Sequence, residues 1–261
     1  MPNVKISVQG PANRPHLWDY FYETLSMNTI DFEIVFVGNV KPDFKLPDNF
    51  KFIYSNVNPA QCEFISSLYS SGELLLTSGD DFHYSPYCLD MLYEKYRTEN
   101  DYKCMVSVMK YAGITDHIET SEDISKILDK CPNQEGNKDS MFKNIQLSVS
   151  STMSRQFYRE LGGLDKRFIF GNAATDLLVR AVHSGGRFVF CPDTYMIERK
   201  DLCGDWQNAH GKLYSDDAYK FLLYEWADGD IVKPKRTDEV QPYIINDTLL
   251  LFSQGERGEW D

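Results

Sequence analysis

Gly72-Glu73-Leu74-Leu75-Leu76-Thr77-Ser78-Gly79-Asp80-Asp81 carries a short apolar run that turns polar at Ser78 and ends in two adjacent carboxylates. The unbroken run Leu74 to Leu76 suits a strand covered on both faces of a sheet. In an open α/β sheet, ligands bind outside the carboxyl ends of the strands, so Asp80 and Asp81 fall where a ligand would be held. Two carboxylates there suit a hard divalent cation, which takes oxygen ligands and fills its remaining positions with water or substrate phosphate. A nucleotide diphosphate is the substrate that this chemistry suggests. The competing reading makes both aspartates ordinary turn residues at a strand end. Capping is assigned instead to Ser85-Pro86, a cap and first-turn proline for the next helix.

Outward from this stretch, strands and helices alternate. Val4, Ile6 and Val8 alternate with Lys5, Ser7 and Gln9, and the strand stops at Gly10-Pro11-Ala12-Asn13. Trp18, Phe21, Tyr22 and Leu25 give the following helix one apolar face. Phe32 to Val37 and Lys51 to Tyr54 read as strands. Asn58-Pro59-Ala60-Gln61 is a helix start in which Asn58 caps and Pro59 fills the first position. A helix from Pro86 to about Arg97, a strand over 104–109, a polar insertion over 115–142 and a strand over 145–149 are expected next. A helix from about Ser154 to Leu161, a helix from Ala173 to Ser184 and a strand from Arg187 to Cys191 complete the core. A further helix is expected from Ser215 to Trp226. Such alternation predicts an α/β domain with a mainly parallel sheet and helices on both faces. The expected division is a core over 1–200 and a C-terminal, partly helical extension over 201–261 packed on it.

The chain has 261 residues, with hydrophobic and aromatic fractions of 42% and 14%, which are values of a globular domain with a substantial core. No segment reaches the roughly 18 uninterrupted apolar residues that a membrane span requires. The N-terminus passes directly into a strand with no signal-peptide pattern, so cytoplasmic residence is the expected default. The six cysteines form no CxxC pair and read as reduced core residues, not as a zinc site. A formal charge of −12 repels polyanions and argues against broad nucleic-acid binding or docking on an anionic membrane.

Several of these segments, in order, resemble the inverting nucleotide-sugar glycosyltransferases of family two, which have the GT-A fold. The resemblance covers approximately residues 3–200. Val4-Lys5-Ile6-Ser7-Val8 with Pro11-Ala12-Asn13-Arg14-Pro15 is similar to that family's first strand and nucleotide loop, and Asp31 to Val37 to its second strand. Gly72 to Asp81 resembles the strand and DXD-type metal motif, and Gly162-Gly163-Leu164-Asp165-Lys166-Arg167-Phe168 the acceptor loop. Asp176-Leu177-Leu178-Val179-Arg180, Gly185-Gly186 and Phe188 to Asp193 follow as the family's DLLLR helix and VPD strand do. The chain departs from the pattern at five places. Gly79 replaces the first DXD aspartate, and Gly38-Asn39 replaces an Asp pair that reads the donor's base and ribose. Glu63-Phe64-Ile65-Ser66 replaces an Arg-Asn-x-Gly segment. Ala173-Ala174 stands where a Glu-Asp pair supplies the base, and Glu198 stands where a histidine is common.

The resemblance implies metal-assisted, inverting transfer of a sugar from a nucleotide-diphosphate-sugar donor to an acceptor hydroxyl. Mn²⁺ or Mg²⁺ would be held by Asp81 and Asp80, with Glu198 as a further ligand. Pro11, Asn13, Arg14, Gly38, Asn39, Asn58 and Asp80 are the candidate donor-binding residues. Inverting transfer needs a base at the acceptor hydroxyl. Asp176, one helical turn from Ala173, is the nearest remaining carboxylate and the candidate base; the competing reading pairs it with Arg180 at i,i+4 spacing. A glycan, a lipid-linked sugar, a protein side chain and a modified nucleobase all remain open as acceptors. Two alternatives also stay open: a retaining glycosyltransferase, and a non-catalytic member of the fold that binds a nucleotide sugar or a partner.

Overall fold

The computed structural model describes residues 4–57, 59–114, 137–138, 146–147, 151–165 and 173–203. The first half alternates as expected: Ile6–Pro11 (β1), Trp18–Leu25 (α1), Phe32–Gly38 (β2), Phe50–Tyr54 (β3), Pro59–Tyr69 (α2) and Leu74–Thr77 (β4). Then come Phe82–Tyr84 (β5), Cys88–Glu99 (α3), Cys104–Ile114 (β6), Asn137–Lys138 (β7), Gln146–Leu147 (β8) and Ser151–Ser154 (β9). Arg155–Glu160 (α4), Ala173–His183 (α5) and Arg187–Arg199 (β10) follow.

Eight strands form one sheet in the order β3-β2-β1-β4-β9-β6-β10-β5. The block β3-β2-β1-β4 is parallel throughout, as is the pair β6-β10, whereas β9 runs antiparallel to both β4 and β6. In this register Gln9 lies beside Thr77, and Pro11 lies beside Val37. The loops after β1, β2 and β4 therefore leave the sheet at one edge, where the candidate residues are concentrated.

The two sheet faces carry separate cores. One packs α2, α4 and α5 through Phe64, Ile65, Phe157, Leu177 and Val179. The other packs α1 and α3 through Trp18, Phe21, Leu89 and Leu92. Trp18 is completely buried, with ring centroids 5.1 to 5.9 Å from Phe36, Phe50 and Phe52. Each such side chain contributes roughly 1.5–3 kcal/mol of burial, so α1 is fixed firmly against β2 and β3.

Three expectations need correction. Ser85-Pro86 does not cap α3, which begins at Cys88 after Tyr87 in a left-handed conformation (φ 58°). Ser85 instead pairs with Tyr195, donating its N–H to the Tyr195 carbonyl (2.9 Å) and accepting the Tyr195 N–H on Oγ (3.1 Å). The short strand β5 thus outcompetes capping. The strand expected over 145–149 is not the one in the main sheet. Ser151–Ser154 takes that place, because small hydroxyl residues fit between two flanking strands: Thr152 is fully buried and donates to the Val106 carbonyl at 3.2 Å. Finally, β10 does not stop at Cys191. A register shift between Cys191 and Tyr195 absorbs Pro192-Asp193 as a bulge and carries the strand on to Arg199.

Five of the cysteines, Cys62, Cys88, Cys104, Cys191 and Cys203, are free and buried, as the reduced-core reading expects. Residues 115–136, the helix expected at 215–226 and the extension beyond 203 lie outside the described residues. Among the described residues no helix is long and apolar enough to cross a membrane.

Candidate functional site

Arg14 follows the turn after β1 and reaches across to the acidic turn after β4. Its N–H donates to Asp80 Oδ2 at 2.7 Å, its Nε to Asp80 Oδ1 at 2.7 Å, and its Nη2 lies 2.5 Å from the same oxygen. Its Nη1 contacts Asp81 Oδ2 at 3.2 Å and Cys203 Sγ at 2.8 Å. The Trp18 indole N–H donates to Asp80 Oδ2 at 3.0 Å, which ties the aromatic core to the acidic turn. Burial acts to lower the Arg14 pKa, but the adjacent charges of Asp80 and Asp81 outweigh it and hold the guanidinium even more firmly protonated than usual. Asp80 thus accepts from a backbone N–H, a guanidinium and an indole, and it is 1% exposed.

Pro11, Asn13, Gly38 and Asn39 meet beside this clamp. The Ala12 N–H donates to the Val37 carbonyl at 2.9 Å, and Asn13 Oδ1 accepts from the Asn39 N–H at 3.2 Å. Asn39 Nδ2 in turn donates to Asn56 at 3.1 Å. Glycine at 38 is a packing requirement: a Cβ there would lie 1.9 Å from the Ala12 carbonyl oxygen and 2.4 Å from Asn13 Oδ1. The structure thus brings Pro11, Asn13, Arg14, Gly38, Asn39 and Asp80 to one edge, while Asn58 lies outside the described residues.

Asp81 is bonded through Oδ2 by both Arg14 and the Cys203 thiol, the latter at 3.4 Å. Its carbonyl accepts from the Arg199 N–H at 2.7 Å. Arg199 forks onto Asp201 with two contacts of 2.8 Å, a turn that folds Cys203 back over the carboxylates. The Cys203 thiol is pushed up to about 12 by burial and then by the Asp81 charge. Glu198 pairs in register with Phe82, one residue from Asp81, and is half-buried. A Cβ at Gly79 would lie 2.6 Å from Asp81 Oδ1, so an aspartate at 79 would displace the Asp81 carboxylate from its present place. Among the described residues, no group of three or more His, Cys, Asp or Glu side chains is arranged to hold a metal ion.

Asp176 is fully buried on α5 and receives Arg180 Nε at 2.9 Å and Nη2 at 2.8 Å. The same guanidinium donates to the Leu161 carbonyl at 2.5 Å and the Gly163 carbonyl at 2.8 Å. The i,i+4 pairing open to Asp176 is therefore formed, and it fastens the Gly162-Gly163 loop.

Behind Thr77 lies a cavity of about 30 Å³ lined by Glu63, Thr77, Ser151, Tyr158 and Ala174, among others. Thr77 Oγ1 donates to Glu63 Oε1 at 2.9 Å and accepts from Gln9 Nε2 at 3.1 Å. Glu63 is half-buried as a residue, with protein packed densely around its carboxyl group. Burial pushes its pKa up to about 7, opposed only by the Thr77 hydrogen bond. Sequence reasoning missed the site roles of Trp18, Cys203 and Glu63. Trp18 and Cys203 read as core residues, which they also are, and Glu63 was visible only as a carboxylate in place of Arg-Asn-x-Gly.

No protein-family model matches the sequence, and no curated protein matches it. Solved structures do. The mannosyltransferase PcManGT from Pyrobaculum calidifontis, in complex with GDP-Man and Mn²⁺, aligns with a TM-score of 0.56 at 14% identity over 85% of this chain and 65% of its own. TarS from S. aureus aligns at 0.51 and 12% identity, over 74% of this chain and 36% of its own. The chain thus spans less than two thirds of the length of either relative. The likeness establishes the fold: a mixed α/β glycosyltransferase-like architecture with an eight-stranded, mostly parallel sheet.

Proposed function

We propose that this chain is a glycosyltransferase that uses a nucleotide-diphosphate-sugar donor and transfers with inversion to an acceptor hydroxyl. The observation that carries the reading is the joining of the loops after β1, β2 and β4 at one sheet edge, with Arg14 locked to the Asp80-Asp81 turn. The nucleotide lies along Pro11, Asn13, Gly38 and Asn39, and Asn58 belongs to the same proposed group. Arg14 and Asp80 act as one rigid unit that sets the height of the loop; Asp80 reaches the donor only through Arg14 unless its bonds open.

The donor set fits a hard divalent cation in part. Asp81, whose Oδ2 is bonded by Arg14 and Cys203, and Glu198 on the adjacent strand are the residues that would hold Mn²⁺ or Mg²⁺. Asp80, closed by its donors, is the weaker ligand. When bound, such a cation neutralises charge on the departing diphosphate. For Asp176 to serve as base, its pair with Arg180 would have to open, and Asp176→Asn tests that assignment through turnover per folded molecule.

Thermal melts with a panel of nucleoside diphosphates and their sugars, with and without Mn²⁺ or Mg²⁺, test the donor site. Stabilisation by one nucleotide, weakened in Asp81→Asn, is expected, since ligand well above its Kd adds a few kcal/mol. No response from any nucleotide sinks the reading. Stabilisation without turnover favours a nucleotide-sugar-binding protein of the same fold, a reading supported by the enclosure of Asp80 and Asp176.

A further inference from the structure

We propose that Glu63 is the general base of this transfer, taking the proton of the acceptor hydroxyl at the cavity behind Thr77. The inference rests on the glycosyltransferase reading above. As the acceptor oxygen attacks the anomeric carbon of the donor sugar, the new C–O bond forms and the bond from that carbon to the diphosphate oxygen breaks. The electron pair leaves with the nucleoside diphosphate, and the proton ends on the Glu63 carboxylate.

Geometry carries the assignment. Glu63 reaches from α2 to the end of β4, where Thr77 stands four residues before Asp81 in sequence, so the carboxylate and the acidic turn share one strand end. The cavity, at about 30 Å³, exceeds the roughly 10–15 Å³ that a single water needs, and so admits a hydroxyl group. Ala174, in the first turn of α5, lines the same cavity and presents no carboxylate of its own. Among the described residues, Thr77 is the one hydrogen-bond partner of the Glu63 carboxylate. Among the described residues no cation neutralises it: the groups around it from the other elements include Gln9, Ser151, Met153, Leu177 and the Tyr158 phenol. The phenol is itself pushed up by burial and stays neutral, and Arg180 is committed to Asp176.

The surroundings give this carboxylate the property a base needs. With its pKa pushed up to about 7, Glu63 is half deprotonated at neutrality, largely so above it, and still accepts a proton readily, the balance that favours general-base catalysis. Asp176, fully buried against Arg180, offers neither access nor a free proton site without rearrangement.

The test uses the full chain with UDP- and GDP-sugars as probes, with release of nucleoside diphosphate read against water or a simple alcohol as acceptor. Glu63→Gln should keep the nucleotide-induced rise in Tm and the donor KM, lose about 100-fold or more in kcat, and lack the inflection near pH 7 expected of wild type. Glu63→Asp, which keeps the carboxyl but shortens its reach, should recover part of the rate. An infrared titration, needing no ligand, should find a carboxyl titrating near pH 7 in wild type and not in Glu63→Gln. Turnover within a few-fold of wild type with the inflection retained in Glu63→Gln overturns Glu63 as base and leaves the glycosyltransferase reading standing. Loss of nucleotide stabilisation in that variant overturns it too, since the residue would then be structural. Wild type that binds no probe overturns the underlying reading together with this one.

Discussion

Arg14 and Asp80 are joined through both main chain and side chain: the Arg14 N–H bonds one carboxylate oxygen at 2.7 Å, while its Nε, also at 2.7 Å, bonds the other. The turn after β1 and the turn after β4 therefore cannot move separately. The two turns behave as one body, and its integrity rests on a charge pair that is almost wholly withdrawn from solvent.

Arg14→Ala should cost about 3–5 kcal/mol of stability, because it leaves the Asp80 carboxylate buried without its cation. Arg14→Lys should recover part of this, since an ammonium keeps the charge but not the fork that reaches Asp80 and Asp81 together. Urea denaturation of the three proteins measures it. A loss under about 1 kcal/mol for the alanine variant would mean that Asp80 finds another partner or becomes protonated.

Removing divalent cations with EDTA should reduce the nucleotide-induced rise in Tm, and re-addition of Mn²⁺ should restore it. Asp81→Asn should lack that metal-dependent component while retaining any metal-free nucleotide stabilisation. Calorimetric melts of both proteins decide the matter, and an unchanged EDTA response in Asp81→Asn would remove Asp81 from the cation site.

Asp176→Asn should destabilise by about 3–5 kcal/mol, since Arg180 is left buried beside a neutral amide. The damage should extend to the Gly162-Gly163 loop, whose neighbouring carbonyls at 161 and 163 are held by the same guanidinium. Hydrogen exchange at residues 161–165 should accelerate selectively. Protected amides there would disconnect the ion pair from the loop.

Glu63 should make stability fall with rising pH. Its folded pKa of about 7 lies above the ordinary carboxylate value, so the folded state binds the proton more tightly than the unfolded chain. That contribution is complete below about pH 4.3 and is lost as the pH passes through 7. Glu63→Gln should match wild type near pH 4 and exceed it by about 1–3 kcal/mol at pH 8. Equal stability at both pH values would indicate that the carboxylate is well solvated.

Thr77→Val should push the Glu63 inflection to higher pH, because the hydroxyl donates to the carboxylate and favours its charged form. The infrared titration of Glu63 reads the shift directly. A lower or unchanged inflection would rule out that hydrogen bond.

Much of the fold was legible because the parallel half of the sheet is written in continuous apolar runs such as Ile34 to Val37 and Leu74 to Leu76. The antiparallel half was not. Ser151–Ser154 carries almost no hydrophobic signal, since its burial comes from neighbours on both sides, and Pro192-Asp193 reads as a stop although the sheet absorbs it as a bulge. At the site, position along the chain brought out Arg14, Gly38 and Asp81, which lie at strand ends. It could not reveal that Trp18 donates to Asp80 or that Glu63 and Ala174 share a cavity, because those relations join residues 62 and 111 positions apart.

The Cys203 sulfur, wedged between Arg14 and Asp81 and 8% exposed, makes the clamp observable from outside. A thiol held near a pKa of about 12 is almost entirely unreactive toward alkylating reagents at neutral pH. Any event that swings Cys203 out of its burial beside Asp81, whether a ligand, a substitution or a thermal fluctuation, releases an ordinary thiol. Its labelling rate is thus a native clock for the opening of this edge of the sheet, readable by mass spectrometry without adding a probe to the protein.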